Sequence, residues 1–191
     1  MSILAVVISY VLGSIPTGLW LGLKLRGIDI REHGSKNIGA TNTWRVLGKK
    51  LGALAFAGDV AKGMVSVLLV SKLGTWQYLP LACGLAAIFG HTMSLFLKFK
   101  GGKGVATAAG VYLALVPIPT LIALGVFAAM FAATRMVSVG SITACVVLLA
   151  GVLVTNNPLA LKVITALVVA LIVWKHRSNI GRILKGEENR L

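Results

Sequence analysis

The chain has 191 residues and a mass of 20.0 kDa, yet 57% of it is hydrophobic, 13% is charged and the mean hydropathy is +0.90. That composition excludes both a disordered chain and a water-soluble monomer. A formal charge of +14, from 19 Lys and Arg against 5 Asp and Glu, would alone suggest a nucleic-acid binder, but the placement of the charges argues for no nucleic acid.

Apolar segments are predicted at 3–23, 51–71, 78–97, 105–116, 119–134, 141–155 and 159–174. They imply an all-α integral membrane protein, a seven-helix transmembrane bundle forming a single polytopic domain over residues 1–191. The first three segments have the length needed to cross roughly 30 Å of hydrocarbon, and the last four are shorter than the usual ~20 residues. Pro117 and Pro119 suit a tight connection between two short spans. Cys83 and Cys145 each lie in an apolar run, so neither a disulfide framework nor a Cys-based zinc site is indicated.

Of the 19 basic residues, 16 fall in the connectors 24–50, 98–104 and 135–140 and in the tail 175–191. The positive-inside rule then places these segments in the cytoplasm and the N-terminus outside, which requires an odd number of spans. Residues 1–23 contain no Lys or Arg, so the first segment reads as an uncleaved helix rather than a signal peptide.

The first connector, IDIREHGSKNIGATNTWR over 28–45, is richer in chemistry than a spacer needs to be. Gly34 and Gly39 permit turns, Ser35, Asn37, Thr41 and Asn42 offer hydroxyl and amide donors, and Lys36 and Arg45 supply positive charge, an inventory suited to cradling a phosphate. The plain alternative is a solvated loop carrying topology charges. The third connector, FLKFKGGKGVAT over 96–107, runs directly into an apolar helix. A glycine-rich turn there exposes N–H groups and the positive end of the helix dipole, with Lys103 beside them. The spacing is not that of an ATP-binding P-loop. After the last span the tail places His176, Arg177, Asn179 and Arg182 at the interface, where Arg182, Lys185 and Arg190 are expected to contact anionic headgroups.

Within the apolar segments, GDVAKG over 58–63 sets Asp59 and Lys62 three residues apart on one helical face. Intramembrane ions usually pair, so the two read either as a structural ion pair orienting the first and third connectors or as direct substrate contacts. His91 reads as a hydrogen-bonded core histidine, because no second His or carboxylate stands at ligand spacing; no metal and no cofactor are expected. No local His/Asp base and no G-x-S-x-G elbow is present, so a reaction here would proceed by positioning and charge neutralisation.

The runs GSIPTG (13–18), REHGSKNIGATN (31–42), GDVAKG (58–63), FKGGKGVAT (99–107) and NIGRILKGE (179–187), in this order, resemble the bacterial acyl-phosphate:glycerol-3-phosphate acyltransferases of the PlsY type. The resemblance implies a multi-pass enzyme of the bacterial inner membrane with its active site facing the cytoplasm. It would acylate the 1-hydroxyl of glycerol 3-phosphate from acyl phosphate, giving lysophosphatidic acid in the first acylation of phospholipid synthesis; membrane lipid is its expected surroundings and a monomer its expected state. It also implies that Ser35, Asn37, Thr41, Gly101 and Gly102 cradle the acyl phosphate, with Asn42 in the same loop, and that Arg45, Lys103, Ser141, His176 and Asn179 surround the glycerol phosphate. Lys103 and the Gly101 and Gly102 amides would stabilise developing charge, with a substrate phosphate or His176 accepting the hydroxyl proton; Ser35, Arg45, Lys103 and His176 form the catalytic set. A membrane transporter of a phosphorylated solute is the rival reading, and a repeated architecture with a midplane site would favour it. A non-catalytic protein tethering lipid or DNA through its basic face is a second.

Overall fold

The computed structural model describes residues 1–191, and every regular element in it is helical. The α-helices are α1 (Ser2–Ser14), α2 (Thr17–Arg26), α3 (Ala40–Leu47), α4 (Lys49–Leu68), α5 (Leu79–Thr92), α6 (Val105–Leu115), α7 (Pro117–Thr134), α8 (Val137–Val154), α9 (Leu159–Lys175) and α10 (Arg177–Leu184). They form two compact units, Met1–Leu115 and Val116–Leu191.

By length and apolarity, four segments can cross a membrane: Lys49–Leu73, Leu79–Leu97, Pro117–Thr134 and Val137–Val154. Two bent pairs raise the number to six, α1 with α2 at 47° and α9 with α10 at 56°. The expected first span is thus broken, because Pro16 has no N–H to donate and its ring disfavours helical geometry at Ile15. Of the seven expected segments, the remaining one is α6, whose 11 residues reach about 16 Å.

In the first unit α1 packs on α5, and α4 packs on α3, α5 and α6. Glycine lets these backbones touch. A methyl group at Gly13 would overlap the Ala87 backbone, and one at Gly110 would overlap the Val60 carbonyl. Such close crossings are how apolar helices gain packing when surrounding lipid is as apolar as they are. One buried cluster, Ala5, Val70, Leu79 and Cys83, fills one region of the unit; another, Leu19, Ile30 and Ile38, lies under the first connector. In the second unit α8 packs against both α7 and α9. Arg135 caps α7 in the left-handed conformation, at φ 61°, which turns the chain sharply into α8.

Candidate active site

The first connector leaves α2 at Gly27, whose φ of 64° suits a residue without a side chain. Two of its three isoleucines, Ile30 and Ile38, are drawn into the core, and the polar residues between them remain outside. Ser35 and Lys36 are exposed; Asn37, Thr41 and Arg45 are half-buried, Thr41 in the first turn of α3 and Arg45 in its last.

Asn42, buried, has a different task. Its Nδ2 donates to the carbonyls of Ile30 at 2.8 Å and His33 at 3.2 Å, while its Oδ1 accepts the Ser35 N–H at 2.8 Å. An amide committed to three backbone groups braces the loop and fixes Ser35. Gly34 closes this brace: its φ is 59°, and any β-carbon there would overlap Asn42 Oδ1. Asn37 Oδ1 accepts the Gly39 N–H at 2.9 Å at the entry to α3. At the edge of the loop Asp29 pairs with Arg31 at 2.6 Å, and the Arg31 hydrogen bond holds the Asp29 carboxyl below its usual range.

The glycine–lysine loop follows a 3-10 turn at Leu95–Leu97, and Leu97 packs against the same buried isoleucines, which seats this loop beside the first connector. Lys98 and Phe99, at φ 51° and 62°, reverse the chain in the left-handed region. The Gly101 N–H then donates to the Thr92 carbonyl at 3.2 Å and the Gly102 N–H to the His91 carbonyl at 3.0 Å. These two amides are engaged within the protein, so they are not the charge-stabilising donors that the glycine-rich spacing suggests. The amides ahead of the turn are those of Val105, Ala106 and Thr107, which in the first turn of α6 have no acceptor within the helix. Lys103, half-buried, stands two residues before Val105, so cation and helix dipole act at one end of α6.

Below this loop, Asp59 Oδ1 and Lys62 Nζ stand 2.8 Å apart on α4, 2% and 8% exposed, and the Thr17 hydroxyl donates to Asp59 at 3.1 Å. The pair lies under the loop, not in it.

In the second unit Ser141 is buried on α8, and His176 is buried at the bend between α9 and α10. His176 Nδ1 lies 2.8 Å from the Ile172 carbonyl, which can only accept. Nδ1 therefore donates in this bond. Asn179, in the first turn of α10, donates through Nδ2 to Glu188 Oε1 at 2.6 Å. The same oxygen accepts the Ser138 hydroxyl at 2.7 Å, and Oε2 accepts Arg182 Nε at 2.8 Å. Beyond it, two hydrogen bonds of 2.9 Å join Arg135 to Leu191. Arg182, expected at the lipid surface, is thus tied to a carboxylate, and its side chain is 34% exposed.

Glu188, which holds Asn179, is a residue that sequence reasoning missed. The one available signal is an acidic pair, Glu187 and Glu188, in an otherwise basic tail. Arg177, by contrast, lies over the Trp174 ring at 4.3 Å, a usual arrangement for a cation beside an interfacial aromatic.

A family model described as glycerol-3-phosphate acyltransferase matches residues 3–186. A glycerol-3-phosphate acyltransferase of Trichlorobacter lovleyi is 50% identical over 182 residues, covering 95% of this chain and 93% of the relative. One from Fusobacterium nucleatum is 42% identical, covering 97% and 95%. The crystal structure of PlsY (YgiH), described as an integral membrane glycerol 3-phosphate acyltransferase in its glycerol 3-phosphate form, superposes with a TM-score of 0.93. It is 40% identical and is matched over 100% of this chain and 95% of that one. The form described with lysophosphatidic acid gives 0.90.

Proposed function

The chain belongs to the glycerol-3-phosphate acyltransferase family and is an integral membrane acyltransferase; we propose that its acyl donor is acyl phosphate and its acceptor the 1-hydroxyl of sn-glycerol 3-phosphate. The observation that carries this reading is the match over the whole chain to a solved acyltransferase described in both a glycerol 3-phosphate and a lysophosphatidic acid form. The hydroxyl oxygen attacks the acyl carbonyl carbon, the acyl C–O bond to phosphorus breaks, and lysophosphatidic acid and inorganic phosphate leave. Phosphate is a good leaving group, so the protein's work is positioning and charge neutralisation.

In the first unit, Ser35, Asn37, Thr41, Arg45 and Lys103 are the residues assigned to phosphate, with Asn42, Gly101 and Gly102 shaping the two loops that present them. In the second, Ser141, His176 and Asn179 are assigned to glycerol 3-phosphate. The hydroxyl proton passes to a substrate phosphate. His176 is the competing acceptor, through Nε2, since Nδ1 is engaged with the Ile172 carbonyl. Comparing His176→Gln with His176→Ala separates the two: near-normal turnover in the Gln form would exclude obligatory proton transfer by the imidazole.

We further propose one polytopic domain with seven crossings, α6 the short one, the N-terminus outside and the loops 24–50, 98–104 and 135–140 with the tail 175–191 in the cytoplasm of a bacterial inner membrane. The 16 basic residues in those segments support this orientation. The enzyme acts as a monomer without metal or cofactor.

The decisive experiment places the purified protein in lipid with acyl phosphate and glycerol 3-phosphate and measures phosphate release. Lys103→Ala is expected to lower kcat by about 10²–10³, the usual effect of removing one group that stabilises developing charge. Equal rates in both proteins would overturn the assignment. A transporter would instead move intact phosphorylated solute into vesicles with no phosphate released.

A further inference from the structure

The Lys62 ammonium carries three protons and no lone pair. Three acceptors surround it: Asp59 Oδ1 at 2.8 Å, the Ile15 carbonyl at 2.8 Å and His91 Nδ1 at 2.9 Å. His91 Nδ1 is 3.7 Å from Asp59 Oδ1, beyond hydrogen-bond reach. For Lys62 to donate in this contact Nδ1 must accept, which requires a neutral ring with its proton on Nε2. That edge of the ring lies against the glycine turn, since a β-carbon at Gly102 would overlap His91 Nε2. The turn also hangs from the backbone of the same segment, through Gly102 N–H to the His91 carbonyl and Gly101 N–H to the Thr92 carbonyl. His91 thus supports the loop twice, once from its carbonyl and once from its ring.

We propose that Asp59, Lys62 and His91 are positioning residues for the glycine–lysine loop. Asp59 neutralises Lys62, Lys62 fixes the tautomer and angle of the His91 ring while holding the α1–α2 break through Ile15, and the ring sets the height of Gly102 and hence of Lys103 and the first turn of α6. The inference rests on the reading of Lys103 as a phosphate-handling residue. The dipeptide Gly101–Gly102 is required here less as a source of free amides than as space for an imidazole.

The test is a steric and kinetic cycle in the lipid-embedded full chain. His91→Asn keeps an acceptor for Lys62 but withdraws the atom against Gly102. It is expected to retain the wild-type melting temperature and the KM for glycerol 3-phosphate while kcat falls between about 10-fold and 100-fold, the scale for a catalytic group displaced by about 1 Å. Gly102→Ala alone meets the ring and is expected to lose more. Combined with His91→Asn, the alanine fills vacated space, so the double variant should turn over faster than Gly102→Ala. Wild-type kcat in His91→Asn, or strictly multiplicative losses in the double variant, would overturn the proposal. Absence of phosphate release by the wild type would instead defeat the reaction itself.

A measurement on the unaltered protein stands beside these. With ¹⁵N-labelled histidine, the His91 ring, assigned by elimination using His33→Gln and His176→Gln, should show the neutral Nε2–H form at pH 7. A cationic ring or the Nδ1–H form would sink the proposal even if no His91 variant folds.

Discussion

In the first unit one buried cation donates to three acceptors; in the second, one buried anion accepts from three donors. The Lys62 partners come from α4, α5 and the break between α1 and α2, and its counter-charge, Asp59, sits one helical turn away on its own helix. The Glu188 partners come from α8 and α10, and Glu188 itself lies on a terminal segment, with its counter-charge Arg182 partly exposed. Both hubs hold a polar segment at the start of a helix, the Gly101–Lys103 turn before α6 in one case and Asn179 in the first turn of α10 in the other. They differ in what must move to undo them. Lys62 is released only by separating packed helices, whereas Glu188 is released by peeling back a few residues. The first is a fixture and the second is a latch.

The largest expected effect tests the fixture. Lys62→Met removes the hub and leaves Asp59 as a buried anion with the Thr17 hydroxyl at 3.1 Å and His91 Nδ1 at 3.7 Å. Breaking a buried pair from one side typically costs about 3–5 kcal/mol. Thermal unfolding in detergent should fall accordingly, for the molecule as a whole. Unchanged melting would mean that the cluster does not hold these helices.

Glu188→Gln is expected to cost less, about 1–3 kcal/mol, because the amide still accepts from Asn179 or Ser138 but turns its own N–H group toward Arg182. The loss should be local. A spin label at Lys185→Cys should become mobile while the melting temperature holds, and Asn179, no longer oriented, should lower activity. A fall in melting temperature as large as that of Lys62→Met would erase the distinction between fixture and latch.

The two hubs were unequally legible in the sequence, for a geometric reason. Asp59 and Lys62 are three residues apart on one helix, so helical periodicity alone puts them in reach. Glu188 meets Ser138 across 50 positions, and no local pattern carries that pairing. The long apolar runs marked where helices form, but not the Pro16 break, nor α3 within the first connector. Asn42 shows the limit well. Its residue type suggested a substrate donor, and only the folded loop reveals that Ile30, His33 and Ser35 occupy its amide. The Gly101 and Gly102 amides mislead in the same manner, since their acceptors lie on the preceding helix. Residue type and spacing identified the segments with chemistry. They did not separate groups that face a ligand from groups that hold those in place.

The smallest effect is a titration of the latch. Burial, the strongest single influence on the Glu188 carboxyl, pushes its pKa up, but the hydrogen bonds from Asn179, Ser138 and Arg182, with the charge of Arg182, outweigh it and leave the group below its ordinary value. A carboxyl with a depressed folded pKa contributes stability that is fully present above its unfolded value, about 4.3 for Glu, and is lost as pH falls through the folded value. The tail should therefore stay docked from neutral pH down to about pH 5 and loosen only in stronger acid, with protonation weakening the bonds rather than abolishing them. The spin label at position 185 reads this directly, and Glu188→Gln, having nothing to titrate at that position, should give a flat profile. Mobility that already rises between about pH 7 and 5.5 would point to an imidazole such as His176 as the control, and the carboxylate latch would then be the wrong description of the second unit.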